Sequence, residues 1–163
     1  MVDFTKNAYA VAKPLDPMFT VGRYIRVVQA KIDLTDTSNG DVVILAEGLP
    51  AAARIVRIML PKGVAQISGV SDVDFGFYET KTNKVIDKDA LVDGISFAES
   101  GGLANVDIVG TNVSDFDATK DIATLLGLNA QNIPAYGFDL CATLNTKGDA
   151  TSSIELDIYI EQD

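Results

Sequence analysis

Pairs of carboxylates stand two positions apart at several places in this chain, among them Asp72/Asp74, Asp87/Asp89, Asp115/Asp117 and Glu155/Asp157. Acids at that spacing share one face of a strand, where a glycosidase or a cation site uses them. Asp72/Asp74 and Glu155/Asp157 fall on the polar phase of alternating strands, so solvent exposure is their expected state. Neither Asp87-x-Asp89 nor Asp115-x-Asp117 continues into the Asp-x-Asp-x-Asp-Gly order of an EF-hand loop, which leaves only opportunistic calcium binding open. Cys141 is the one cysteine, so no internal disulfide forms. Its place in a strand pattern reads as a half-buried thiol and not a nucleophile. Histidine is absent, which excludes Ser-His-Asp, Cys-His and His-metal chemistry. There is no glycine-rich phosphate loop or dinucleotide fingerprint. Asn112-Val113-Ser114 matches the glycosylation acceptor pattern by chance. Catalysis is disfavoured, and no cofactor or metal is expected.

The 163 residues fit one domain with a real core, and 47% apolar content argues against disorder. No apolar run approaches the ~20 residues needed to cross a bilayer. The start, MVDFTKNAYAV, lacks a secretory pattern, so a soluble protein made in a cytoplasm is expected, with no membrane partner. A net charge of −10 argues against nucleic acid, whose phosphates need a basic face. Charge is uneven: residues 1–62 hold eight Lys/Arg and six Asp/Glu, residues 63–163 five and seventeen. That asymmetry could orient the molecule on an acidic partner, although solvated charge is the simpler reading. Arg23, Arg26, Arg54 and Arg57 would form a basic patch only if their strands adjoin. Arg54 and Arg57, three apart, face opposite sides of a regular strand.

These side chains need elements to hold them, and period-2 alternation dominates the chain. Residues 137–161 read as one β-hairpin. Phe138, Leu140, Ala142 and Leu144 form one apolar row, and Ile154, Leu156, Ile158 and Ile160 form another. Tyr24–Leu34 alternates with a break of phase near Arg26–Val27 that suggests a bulge. Asn39-Gly40 marks a tight turn in which both residues are expected at positive φ. Asp41–Leu45, Ala53–Leu60 and Val70–Tyr78 are further strands, the last with Val73, Phe75 and Phe77 inward and Asp72, Asp74 and Gly76 outward. A helix of about ten residues is expected after an Asp117 N-cap, ending at Gly127 and plugging one end of the sheets. Residues 87–112 read only as short pieces between glycines. Residues 1–20, with Pro14 and Pro17, form an extended arm, and residues 21–163 a β-sandwich domain. The fold class is all-β, a jelly-roll-like antiparallel β-sandwich with one short helix and that arm.

The order of these segments resembles small tailed-bacteriophage virion proteins of the capsid decoration, cement or head-fibre type. The resemblance is carried by Phe19-Thr20-Val21-Gly22, the strand RYIRVVQAKIDLT, Asp41–Leu45, Leu49-Pro50-Ala51-Ala52-Ala53-Arg54-Ile55, Phe75–Tyr78, Leu125–Leu128, Tyr136–Leu140 and the closing Ile-Glu-Leu-x-Ile-Tyr strand. It spans residues 19–161. It implies a non-enzymatic protein bound to the capsid exterior of a virion assembled in the host cytoplasm. The implied partners are the major capsid protein and further copies of itself, as a homo-oligomer and often a trimer. Phe4 and Tyr9 are the expected apolar anchors for docking, with Lys6, Lys13, Arg23 and Arg26 as charge partners. Equally, the arm could pair within its own chain. A head-fibre or tail anchor and a carbohydrate-binding β-sandwich module also fit an all-β chain of this kind. Among enzymes a glycosidase would fit, given a close carboxylate pair in a cleft.

Overall fold

A computed structural model describes residues 4–6, 11–14 and 24–162, the first two segments as backbone strands. In chain order the elements are β1 (Phe4–Lys6), β2 (Val11–Pro14), β3 (Tyr24–Asp33), β4 (Val42–Leu49), β5 (Arg54–Met59), β6 (Asp72–Glu79), β7 (Val85–Ile95), α1 (Ile122–Leu125), β8 (Phe138–Thr146) and β9 (Ser153–Gln162). One sheet has the order β1-β4-β8-β6-β7 and the other β2-β3-β9-β5. All pairings are antiparallel except β1 with β4. From β3 to β6 each strand crosses to the opposite sheet, and β8 returns between β4 and β6. This is the expected all-β sandwich, with one short helix among the described residues.

The inward rows meet between the sheets. Val28, Ala30 and Ile32 of β3 lie in register with Ile158, Leu156 and Ile154 of β9, facing Phe75, Phe77, Leu140 and Phe138 from the other sheet. All ten are nearly or wholly buried, each large one contributing roughly 1.5–3 kcal/mol of burial. Phe77 and Phe138 pack edge to face, centroids 6.2 Å apart.

Three local expectations need correction. β8 and β9 belong to different sheets, so residues 137–161 form an arch across the core and not a hairpin. Alternation fixes which face of a strand is buried, and two strands facing each other satisfy it as well as two side by side. The β3–β4 connection crosses beside this arch. The two are tied by Lys147 N–H to Asn39 Oδ1 at 2.9 Å, Gly40 N–H to Leu144 O at 2.6 Å and Leu34 N–H to Ser152 O at 3.0 Å. In the Asn39-Gly40 turn only Gly40 has positive φ, +89°. Asp41 N–H closes the turn on Ser38 O at 3.2 Å, as in a type II turn. Finally, β3 pairs with β9 from Tyr24 to Asp33 without a register shift, so no bulge lies at Arg26–Val27.

The helix is one short turn and more, Ile122–Leu125. Its N-cap is Asp121, whose carboxylate accepts from Thr124 N at 2.7 Å, and not Asp117. Asp117 instead holds Thr119 in its own local turn. Both aspartates carry the capping signature, and the position of Ile122 in the core decides between them. Gly127 ends the helix at φ +66°, and Ile122 N–H bonds to Ala53 O at 2.8 Å, so α1 closes one end of the sandwich. Residues 87–112, which carry no clear period, split in two. β7 runs to Ile95, and the irregular segment after it borders the open edge of β5. Leu60 N–H reaches Val106 O at 3.2 Å, Ile108 N–H reaches Ile58 O at 2.9 Å and Ile58 N–H reaches Asp107 Oδ1 at 3.1 Å. Hydrogen bonds to that edge withdraw it from pairing with other chains.

Candidate functional site

β7 is the element that gathers acids. Its pairing with β6 jumps from Phe77↔Asp87 to Phe75↔Val92, so Lys88–Leu91 bulges off the ladder. Gly76 permits this, since a Cβ there would lie 2.1 Å from Asp87 O. The bulge aims Lys88 at Asp74 and leaves Asp87, Asp89 and Asp93 along a groove of about 340 Å³, closed by Asn112, Ser114 and Asp115. Burial, and then a hydrogen bond with the Asp89 carboxyl, push Asp87 up to about 6. Asp87 therefore keeps its proton to a higher pH than an exposed aspartate does. Carboxyls that touch are closer than the roughly 5–9 Å over which glycosidase acids flank a bond. Among the described residues no group of three or more acids, cysteines or histidines is disposed to hold a metal ion.

The other acid pairs do different work. Asp74 is 2% exposed, not solvated as its strand phase implied. It accepts from Gly94 N–H at 2.8 Å and Asn145 Nδ2 at 2.6 Å, and pairs with Lys88 Nζ at 2.9 Å. Asp72 shares Asn145 Nδ2 at 3.0 Å. This is a satisfied internal network, created by the β7 bulge that covers the outward face of β6. Glu155 and Asp157 stay on the outer face of β9, in a groove of about 510 Å³ with Gln29, Lys31, Pro61 and Lys62. Lys62 stands 3.4 Å from Glu155. Partial burial, then the Glu155 charge, raise Asp157 above the usual carboxylate range.

Cys141 is fully buried, not half-buried, beside Val42, Ile44 and Tyr78 on the outer face of β8. Burial, then the Asp139 charge, push its thiol well above the ordinary range, which suits packing and not attack. Arg54 and Arg57 share a face after all. A bulge at Val56 puts Arg54 in register with Glu161 and Arg57 with Tyr159. Arg54 pairs with Glu161 and donates to Thr119 O at 3.1 Å. Arg26 is in register with Ile160, on the core-facing phase, so it does not join them. Its Nε is buried without a hydrogen-bond partner among the described residues.

Of the expected docking residues, Tyr9 and Arg23 lie outside the described residues. Phe4 and Lys6 fall in β1, in register with Val42 and Ile44, and Lys13 falls in β2 opposite Val27. The structure therefore places these segments of the arm at one edge of each sheet and brings none of the six into a described cluster. Sequence reasoning also missed a surface. Val85, Ile133 and Tyr136 are exposed, and Lys81 Nζ sits 3.9 Å above the centre of the Tyr136 ring. The signal was an aromatic beyond Pro134, outside any alternating strand.

No protein-family model matches the chain, and no curated protein does. Among solved structures the chain is similar to one from the cyanophage Pam1 capsid asymmetric unit. Identity is 11%, the TM-score is 0.47, and the alignment covers 92% of this chain and 90% of that one. At that score the likeness is too loose to assign a role.

Proposed function

We propose that this chain is a non-enzymatic bacteriophage virion protein that binds the outer surface of the capsid and reinforces it. The observation that carries the reading is the order of its sequence segments, which resembles decoration and cement proteins over residues 19–161. The fold is compatible with it. Leu49, Phe75–Tyr78, Phe138–Leu140 and Ile154–Ile160, which carry much of the resemblance, are spent on the sandwich core and its register. Such a protein acts by mass action: burying surface across several shell subunits stabilises the assembled state over the dispersed one. The acids have structural or solvated tasks in this reading. The test is to mix the purified protein with shells that lack it and pellet them. Saturable co-sedimentation, with shells that resist heat better, is expected. Copies confined to the head–tail joint would favour a fibre or tail anchor instead.

One observation favours a second reading, a carbohydrate-binding module. Tyr136 is an exposed aromatic, as a sugar-stacking site requires, with Lys81 Nζ over one face of its ring. A silent glycan array would remove it.

A further inference from the structure

Three of the four exposed large apolar side chains among the described residues gather at one place. Val85 and Ile133 line a groove of about 420 Å³ with Pro134 and Ala135, and Tyr136 stands beside it. Lys81 and Lys84 are exposed at this rim, against the single acid Glu79, in a chain whose net charge is −10. The fourth, Val106, lies at the other end of β7. It borders a hollow of about 360 Å³ with Ile95, Leu103 and Ile108. Around that hollow and the adjoining groove stand Asp93, Glu99, Asp107 and Asp115, and no Lys or Arg lines either one.

We infer that these two surfaces are the two halves of one head-to-tail contact between copies of this chain. The Val85/Ile133/Tyr136 groove of one copy, with Lys81 and Lys84, meets the Val106 hollow of the next, with Asp93 and Asp115. The occupant follows from charge. The cationic groove needs an apolar partner rimmed by carboxylates, and the far end of the same β7 strand supplies one. A large aromatic with aliphatic neighbours gives the contact its burial, and the opposed charges add an attraction that salt screens and set its register. A contact between two different surfaces repeats from copy to copy and closes as a ring when its rotation permits. The inference stands apart from the capsid reading: failure to bind shells would sink that reading and leave this one untouched.

The test is the mass of the purified full chain by sedimentation equilibrium at low and high salt. A mass of at least twice the 17.3 kDa monomer, falling as salt is added, is expected. Lys81→Glu with Lys84→Glu, and separately Asp93→Lys with Asp115→Lys, should each give monomers, since all four side chains are exposed. Mixing the two variants restores opposite charges at the contact and should restore the assembly. If the second variant does not fold, Glu99→Lys with Asp115→Lys replaces it. A wild-type monomer at the highest attainable concentration, an assembly that survives either reversal, or a mixture that stays monomeric overturns the inference.

Discussion

Asp87 shows how one side chain records its surroundings. Its folded-state value, about 6, is raised above the 3.8 of an unburied aspartate, so the folded state binds that proton more tightly. The linked stability is complete below about pH 4 and is lost as pH rises through 6. Because the group is partly solvated, the effect should be on the order of 1 kcal/mol and not the full value of the shift. Relative to Asp87→Asn, the wild type should therefore lose stability between pH 4 and 7, read from urea midpoints. A constant difference across that range would show that Asp87 is not raised in the folded state. Asp74 is the opposite case, an acid whose charge is matched. Asp74→Ala leaves Gly94 N–H without its partner and Lys88 with Asn145 Oδ1 alone, and should cost roughly 1–3 kcal/mol in denaturant unfolding. Cys141, wholly buried, should react with thiol reagents only after the chain unfolds.

Elements are positioned by caps and close approaches that alternation does not encode. Asp121→Ala removes the cap of α1 and should cost about 1 kcal/mol in thermal unfolding, with a smaller effect from Asp117→Ala. Equal losses would mean the helix begins earlier, as the sequence pattern suggested. Gly76 is needed where the β7 bulge crosses β6. Gly76→Ala sets a methyl 2.1 Å from a backbone carbonyl, so the bulge must move or the chain unfold at a lower temperature. Since the bulge positions Lys88, the same substitution should loosen the Asp74 network.

Considered together, the two sheets expose their edges unequally. β5 is bordered by residues around Asp107, β7 is bulged, and β1 and β2 occupy the same lateral side of the sandwich on opposite sheets. Removing residues 1–15 bares the edges of β4 and β3, so the truncated chain should melt earlier and aggregate more readily. The docking role proposed for the arm makes a separate demand. Phe4→Ala with Tyr9→Ala should reduce co-sedimentation with shells more than it lowers the melting temperature, and unchanged pelleting would leave the arm with pairing alone.

Much of this was legible in the residues. Rows such as Val73/Phe75/Phe77 and Ile154–Ile160 announced strands and their buried faces, because a pleated backbone sends alternate side chains to opposite sides. Gly127 announced the end of a helix, because it alone tolerates the left-handed turn there. The acid pairs were visible as pairs, but their environments were not. Only the packed molecule decided that β8 and β9 face each other across the core, that a bulge brings Arg54 and Arg57 to one side, and that Asp74 is buried and paired while burial raises Asp87. The physical reason is range. Alternation and turn chemistry act between neighbours in the chain, whereas strand partners, bulges and burial of charge are set by segments far apart competing for the same space.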